Sequence, residues 1–64
     1  MEYEVTSRGS GYAHKWWIVK LEREPTRPEA HAIALKLDGG YLFGSHYDVV
    51  DRDKGLYKIS GYID

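Results

Sequence analysis

One segment, EPTRPEAHAIALKLDGG at residues 24–40, has the pattern of an amphipathic helix. Thr26 and Glu29 stand three residues apart, which is the spacing of a capping box, and Pro28 falls in the first turn, where its missing N–H costs little. Gly39-Gly40 is typical of a helix end, because glycine reaches the left-handed conformation without strain. The apolar residues lie three and four apart and form one stripe: Ala30, Ile33, Ala34 and Leu37.

The chain on either side of this helix alternates apolar and polar residues, as strands do. Gly9-Ser10-Gly11 is flexible enough for a hairpin loop, and residues 51–55 have the composition of a polar turn. We expect a bulge or an interruption near Gly44-Ser45. The four expected strands cover residues 2–8, 14–23, 41–50 and 56–63.

The resulting order, β-β-α-β-β, predicts a small α+β two-layer sandwich, an antiparallel sheet with one helix packed on one face. With 64 residues, the chain is expected to form a single domain over residues 1–64. A domain of this size hides only ~60% of the surface that its unfolded chain exposes, so its stability is marginal. The chain has no cysteine, which excludes disulfides and thiolate zinc sites.

Two adjacent tryptophans, Trp16 and Trp17, lie in the second expected strand. Because neighbouring strand residues point to opposite faces, only one indole can enter a core beneath a single helix. Trp17, Val19 and Leu21 share a face without charge, so we assign that face to the helix side. The residues expected to join them there are Tyr47, Val49, Tyr57, Ile59 and Ile63. The first strand has one solvated face, since Tyr3, Val5 and Ser7 share one face and the other carries Glu2, Glu4, Thr6 and Arg8.

The face away from the helix then mixes large apolar groups with charges. It carries Glu22, Asp48, Leu56 and Ser60, together with six residues that we predict to contact a partner: Trp16, Ile18, Lys20, His46, Lys58 and Tyr62. Three arrangements are open: a loop such as residues 9–12 folds over Trp16 and Ile18, a second copy covers them in a homodimer, or a partner binds there. An exposed apolar patch marks an interaction site, and tryptophan is enriched in binding hot spots.

A single-stranded nucleic acid is the alternative ligand of the same face. Bases could stack on Trp16 and Tyr62, while Lys20 and Lys58 hold the backbone. Two carboxylates on that face, Glu22 and Asp48, would repel phosphates, so we rank DNA or RNA binding second.

Catalysis is not expected. The three histidines, His14, His31 and His46, match no zinc signature. His46 and Asp48 could share a face and act as acid and base, but no serine or other nucleophile stands in a recognisable motif. We therefore predict no enzyme activity, no cofactor and no metal site.

The net charge is −1, from nine basic and ten acidic side chains without a Lys/Arg block, which argues against a protein that depends on neutralising phosphates. No apolar run approaches the ~20 residues that span a bilayer, and the first residues lack the apolar core of a signal peptide. We expect a cytoplasmic protein. Its predicted function is that of a non-enzymatic binding module that docks a protein partner, regulating or inhibiting it, or that self-associates.

Overall fold

The computed structural model describes residues 2–63. It contains four strands and one helix in the predicted order β-β-α-β-β, and the small α+β fold is confirmed. The strands are all antiparallel to their neighbours and form one sheet in the order β1-β2-β4-β3, so β2 and β4 lie in the centre. The elements are β1 (Glu4–Gly11), β2 (His14–Lys20), α1 (Arg27–Asp38), β3 (Gly44–Asp51) and β4 (Leu56–Tyr62).

Helix α1 begins and ends where its sequence predicts. Thr26 Oγ1 accepts a hydrogen bond from the Glu29 backbone N–H at 3.3 Å, and Glu29 Oε1 accepts one from the Thr26 N–H at 2.9 Å. The guanidinium of Arg23 donates to both oxygens of the same carboxylate, at 2.8 and 2.6 Å. These hydrogen bonds, the one from Arg23 first, lower the pKa of Glu29 from 4.5 to about 2. Gly39 ends the helix with φ 102° and donates its N–H to the Leu35 carbonyl.

The core lies between α1 and one face of the sheet. Val19 and Ile59, on the two central strands, are fully buried, and Trp17 is only 4% exposed. At the end of the sheet, the methyl groups of Leu42 lie against Gly61, where a Cβ would approach them to 2.8 Å. The other buried members of this core are Leu21, Ala30, Ile33, Ala34 and Tyr57. The predicted placement of Trp17 beneath the helix is therefore confirmed.

The hairpin between β1 and β2 turns later than predicted. Gly9-Ser10-Gly11 is not a loop, because all three residues belong to β1 and Gly11 pairs with His14. The turn is made by Tyr12 and Ala13, and Ala13 adopts φ 62°. This left-handed conformation is unfavourable for alanine by roughly 1–2 kcal/mol. The Ala13 carbonyl accepts a hydrogen bond from the Ile63 N–H at 3.0 Å.

Strand boundaries and bulges also differ from the predictions. A bulge at Thr6 shifts the β1 register, so Ser7 pairs with Ile18 and Arg8 pairs with Trp17. Ser7 and Arg8 therefore exchange the faces that simple alternation predicts. Strand β3 begins only at Gly44 rather than at residue 41, and its bulge lies at Val50 instead of near Gly44-Ser45. Strand β2 ends at residue 20 instead of residue 23.

Candidate binding face

The sheet face opposite α1, called the open face below, consists of four rows of cross-strand neighbours. Residues that pair across neighbouring strands point to the same face, so the register defines each row. Read in the strand order β1-β2-β4-β3, the rows are Glu4-Lys20-Leu56-Asp51, Ser7-Ile18-Lys58-Asp48, Gly9-Trp16-Ser60-His46 and Gly11-His14-Tyr62-Gly44. The first two rows are called the charged half and the last two the aromatic half.

The Trp16 indole lies against the neighbouring strand β1. Its indole occupies the space in which a Cβ of residue 9 would stand, so only glycine at that position admits the ring. Lys58 Nζ lies 5.1 Å from the centroid of the indole, within the range of a cation–π interaction. The indole thus has the β1 backbone and the Lys58 ammonium group as neighbours, and both restrict its orientation.

Tyr62 stands between two histidine rings. Its ring centroid lies 6.3 Å from that of His14 and 5.4 Å from that of His46, with which it stacks at 27°. The Tyr62 hydroxyl lies 2.9 Å from His46 Nδ1, at hydrogen-bond distance. When this hydroxyl donates to Nδ1, the His46 Nε2–H faces Asp48 Oδ2 at 3.5 Å. His14 in turn lies over Gly11, so at a second glycine of β1 a ring from β2 occupies the space of a side chain.

The charges of the open face are separated from its rings. The three carboxylates, Glu4, Asp48 and Asp51, all lie in the charged half, whereas the aromatic half has none. Glu22, which was expected on this face, lies beyond the end of β2, in a surface pocket with Glu2, Arg23 and Glu29. Three carboxylates therefore lie on this face where two were predicted, and Asp48 is the one that lies beside the rings.

All six predicted contact residues lie on the open face, but they are spread over four rows. His46 and Trp16 share one row, Ile18 and Lys58 share another, and Tyr62 and Lys20 lie at opposite ends. The prediction missed His14, although its even number places it on the same face as Trp16. The prediction also missed Gly9 and Gly11, because their contacts with the Trp16 and His14 rings follow from the pairing of β1 with β2.

No described segment covers the open face. The segment 9–12, the predicted candidate for a cover, forms the end of β1 and the turn. Among the described residues outside the sheet, Tyr3 and Leu42 are partly buried against the core on the helix side. Trp16 is only partly exposed because its own neighbours shield it, and Tyr62 is 38% exposed.

The described residues offer little else that indicates chemistry. Residues 2–63 contain no group of three or more His, Asp or Glu side chains placed to hold a metal ion. None of the helical structure in this part of the chain has the length and apolar character needed to cross a membrane. Comparison with known proteins gives no match, since no family model fits the chain and no curated protein or solved structure is significantly similar to it.

Proposed function

We propose that this protein is a non-enzymatic binding module that docks a protein partner on its open face. The observation that carries the proposal is the aromatic half, where Trp16, His14, Tyr62 and His46 lie together on the sheet with no described segment over them. Clustered aromatic groups that lose little conformational freedom on binding are typical of interface hot spots. Regulation or inhibition of a larger protein suits a module of 7.4 kDa.

The order of the rows also supports a protein partner. An interface commonly has a desolvated apolar centre and a polar rim. Here Trp16 and Tyr62 supply the apolar part, and the charged half supplies Lys20, Lys58 and Asp48 along one side. Since this side carries both signs of charge, it can select a partner whose charges are arranged to complement them.

The experiment compares three immobilised baits in a lysate of the source organism treated with nuclease. The baits are the wild type, Trp16→Ala, and Tyr41→Ala as a matched control, since Tyr41 is 63% exposed but belongs to no strand. A protein retained by both the wild type and the Tyr41→Ala control is then purified and titrated against all three baits. We expect Trp16→Ala to weaken this binding by ~2 kcal/mol or more. Equal binding of the purified protein to all three baits would contradict the proposal.

Single-stranded nucleic acid remains the second candidate, and the separation of charges favours it. Stacked bases could occupy the aromatic half without meeting a carboxylate there, and Lys58 lies beside Trp16 to reach a phosphate. The two candidates differ in their response to salt. Affinity for an oligonucleotide should fall steeply as salt is added, whereas an apolar protein interface should change little.

A further inference from the structure

The two outer strands differ in how much regular backbone they leave unpaired. Strand β1 has its bulge at Thr6, within the strand, which interrupts the row of outward N–H and C=O groups. Strand β3 has its bulge at Val50, next to its end, and is regular over residues 44–49. A regular, unpaired edge is a template for another strand. Strand β1 is regular only over residues 7–11, so β3 offers the longer regular edge at which this sheet can be extended.

Two backbone bonds establish which groups point outward from that edge. Leu21 N donates to Gly55 O at 2.8 Å, and Ile63 N donates to Ala13 O at 3.0 Å. They continue the β2–β4 ladder at its two ends, so the odd-numbered residues of β4 bond to β2 and the even-numbered ones bond to β3. The β3 partners of these even-numbered residues are Gly44, His46 and Asp48.

The intervening residues of β3 consequently direct their N–H and C=O groups away from the sheet. These residues are Ser45, Tyr47 and Val49. Beside them runs an open groove of about 320 Å³, lined by residues 45–49 together with Arg27 and Ala30 of the helix. Val49 and Val50 are 41% and 49% exposed along the same strand. The edge therefore offers free hydrogen-bonding groups, space beside them and apolar surface.

The polar side chains of β3 complement those of a second β3 running antiparallel to it. Outward-pointing residues must face each other in such a pair, and Tyr47 opposite Tyr47 meets this condition. This register brings His46 of each copy opposite Asp48 of the other on the open face, and an imidazole N–H can donate to a carboxylate. A shift of two residues in one direction would oppose Asp48 to Asp48, and a shift in the other direction would oppose His46 to His46. One register is thus favoured over its neighbours.

We propose that two copies of this chain pair through their β3 edges, antiparallel and centred on Tyr47, and form one eight-stranded sheet. The two-fold axis runs perpendicular to the sheet, so both helices lie on one side and both open faces lie on the other. The backbone contact lies at the β3 edge, whereas the proposed function uses the open face, and His46 is the residue that the two surfaces share. Trp16, His14 and Tyr62 of both copies stay accessible, which makes the assembly bivalent toward a partner.

The test is the molar mass in light scattering as the protein concentration is raised. We expect the mass of the wild type to rise from 7.4 kDa toward twice that value. Asp48→His and His46→Asp should each shift the rise to higher concentration, because each places like groups opposite each other. The double variant, which exchanges the two residues, should restore the behaviour of the wild type. Asp53→His makes the same change in the turn between β3 and β4 and should have no effect.

A backbone variant tests the edge without changing a charge. Val49→Pro removes an outward N–H that bonds to no strand of the same chain, so we expect a folded protein by circular dichroism that stays monomeric. A monomeric wild type at every concentration would overturn the proposal, as would a dimer indifferent to the exchange series. A dimer that persists in Val49→Pro but is lost in Trp16→Ala would overturn it as well, by placing the contact on the open face.

Discussion

The two faces of this sheet are built from the same four strands but have opposite characters. The helix side is hydrophobic and almost completely buried, as shown by Trp17, Val19, Tyr57 and Ile59. On the open face, each ring is held by a specific neighbour: Trp16 by Gly9 and Lys58, and Tyr62 by two histidines. The comparison shows that burial under another layer is one way to fix an aromatic ring, and lateral support within a sheet is another.

The adjacent tryptophans give the largest predicted difference between the faces. Trp17→Ala should destabilise the protein by ~3–5 kcal/mol, because it leaves a cavity beneath the helix. Trp16→Ala should cost at most ~1 kcal/mol, because its ring is already partly in solvent. Chemical unfolding of both variants measures the two values. Equal losses would show that the open face is as much a core as the other, and the distinction between the faces would be broken.

A smaller effect is expected from the helix cap. Thr26→Ala removes the acceptor of the Glu29 N–H and should lower stability by ~1 kcal/mol. Thr26→Ser keeps a hydroxyl and is the control. Because α1 covers only the helix side, fluorescence quenching in Thr26→Ala should report greater access to Trp17 and unchanged access to Trp16. Each indole is measured alone, in variants that keep one tryptophan: Trp16→Phe and Trp17→Phe. Greater quencher access to Trp16 in Thr26→Ala would indicate that the two faces are coupled.

Two glycines of the open face allow a test of lateral support. Gly9→Ala forces the Trp16 indole off β1, so a quencher should reach that ring more easily while stability changes by less than ~1 kcal/mol. Gly44→Ala is the matched control, since a Cβ there would meet no atom within 4 Å. Unchanged quenching in Gly9→Ala would mean that β1 does not hold the ring.

The smallest predicted effect concerns the stability of the protein at low pH. Glu29 has a pKa of about 2 in the folded protein against 4.5 ordinarily, so its contribution to stability is complete above pH 4.5 and is lost as the pH falls toward 2. Glu29→Gln should flatten the fall of the melting temperature over that interval. Glu22→Gln, an exposed neighbour in the chain, is the control. Parallel melting curves for wild type and Glu29→Gln would show that the Arg23–Glu29 contact does not stabilise the helix in solution.

The features that sequence predicts correctly here depend on neighbours along the chain. The cap at Thr26, the stop at Gly39 and the alternation from Trp16 to Leu21 each involve a few consecutive residues. The errors arise where a distant strand determines the outcome. The segment Gly9-Ser10-Gly11 has the composition of a loop, yet it belongs to β1. There the Trp16 ring of β2 occupies the space in which a side chain of residue 9 would stand. The bulge at Thr6 likewise depends on pairing with β2, so the exchange of Ser7 and Arg8 between faces has no signal in β1 alone.

The strand order has a consequence for how the chain folds. Strands β1 and β2 form a hairpin from one end of the sequence, and β3 and β4 form a hairpin from the other end. The two hairpins meet only through β2 and β4, and even the innermost pair of that ladder, Lys20 with Leu56, encloses residues 20–56. Closing that loop carries the largest entropic cost, so the central ladder should limit the folding rate, while each hairpin forms and dissolves quickly by itself.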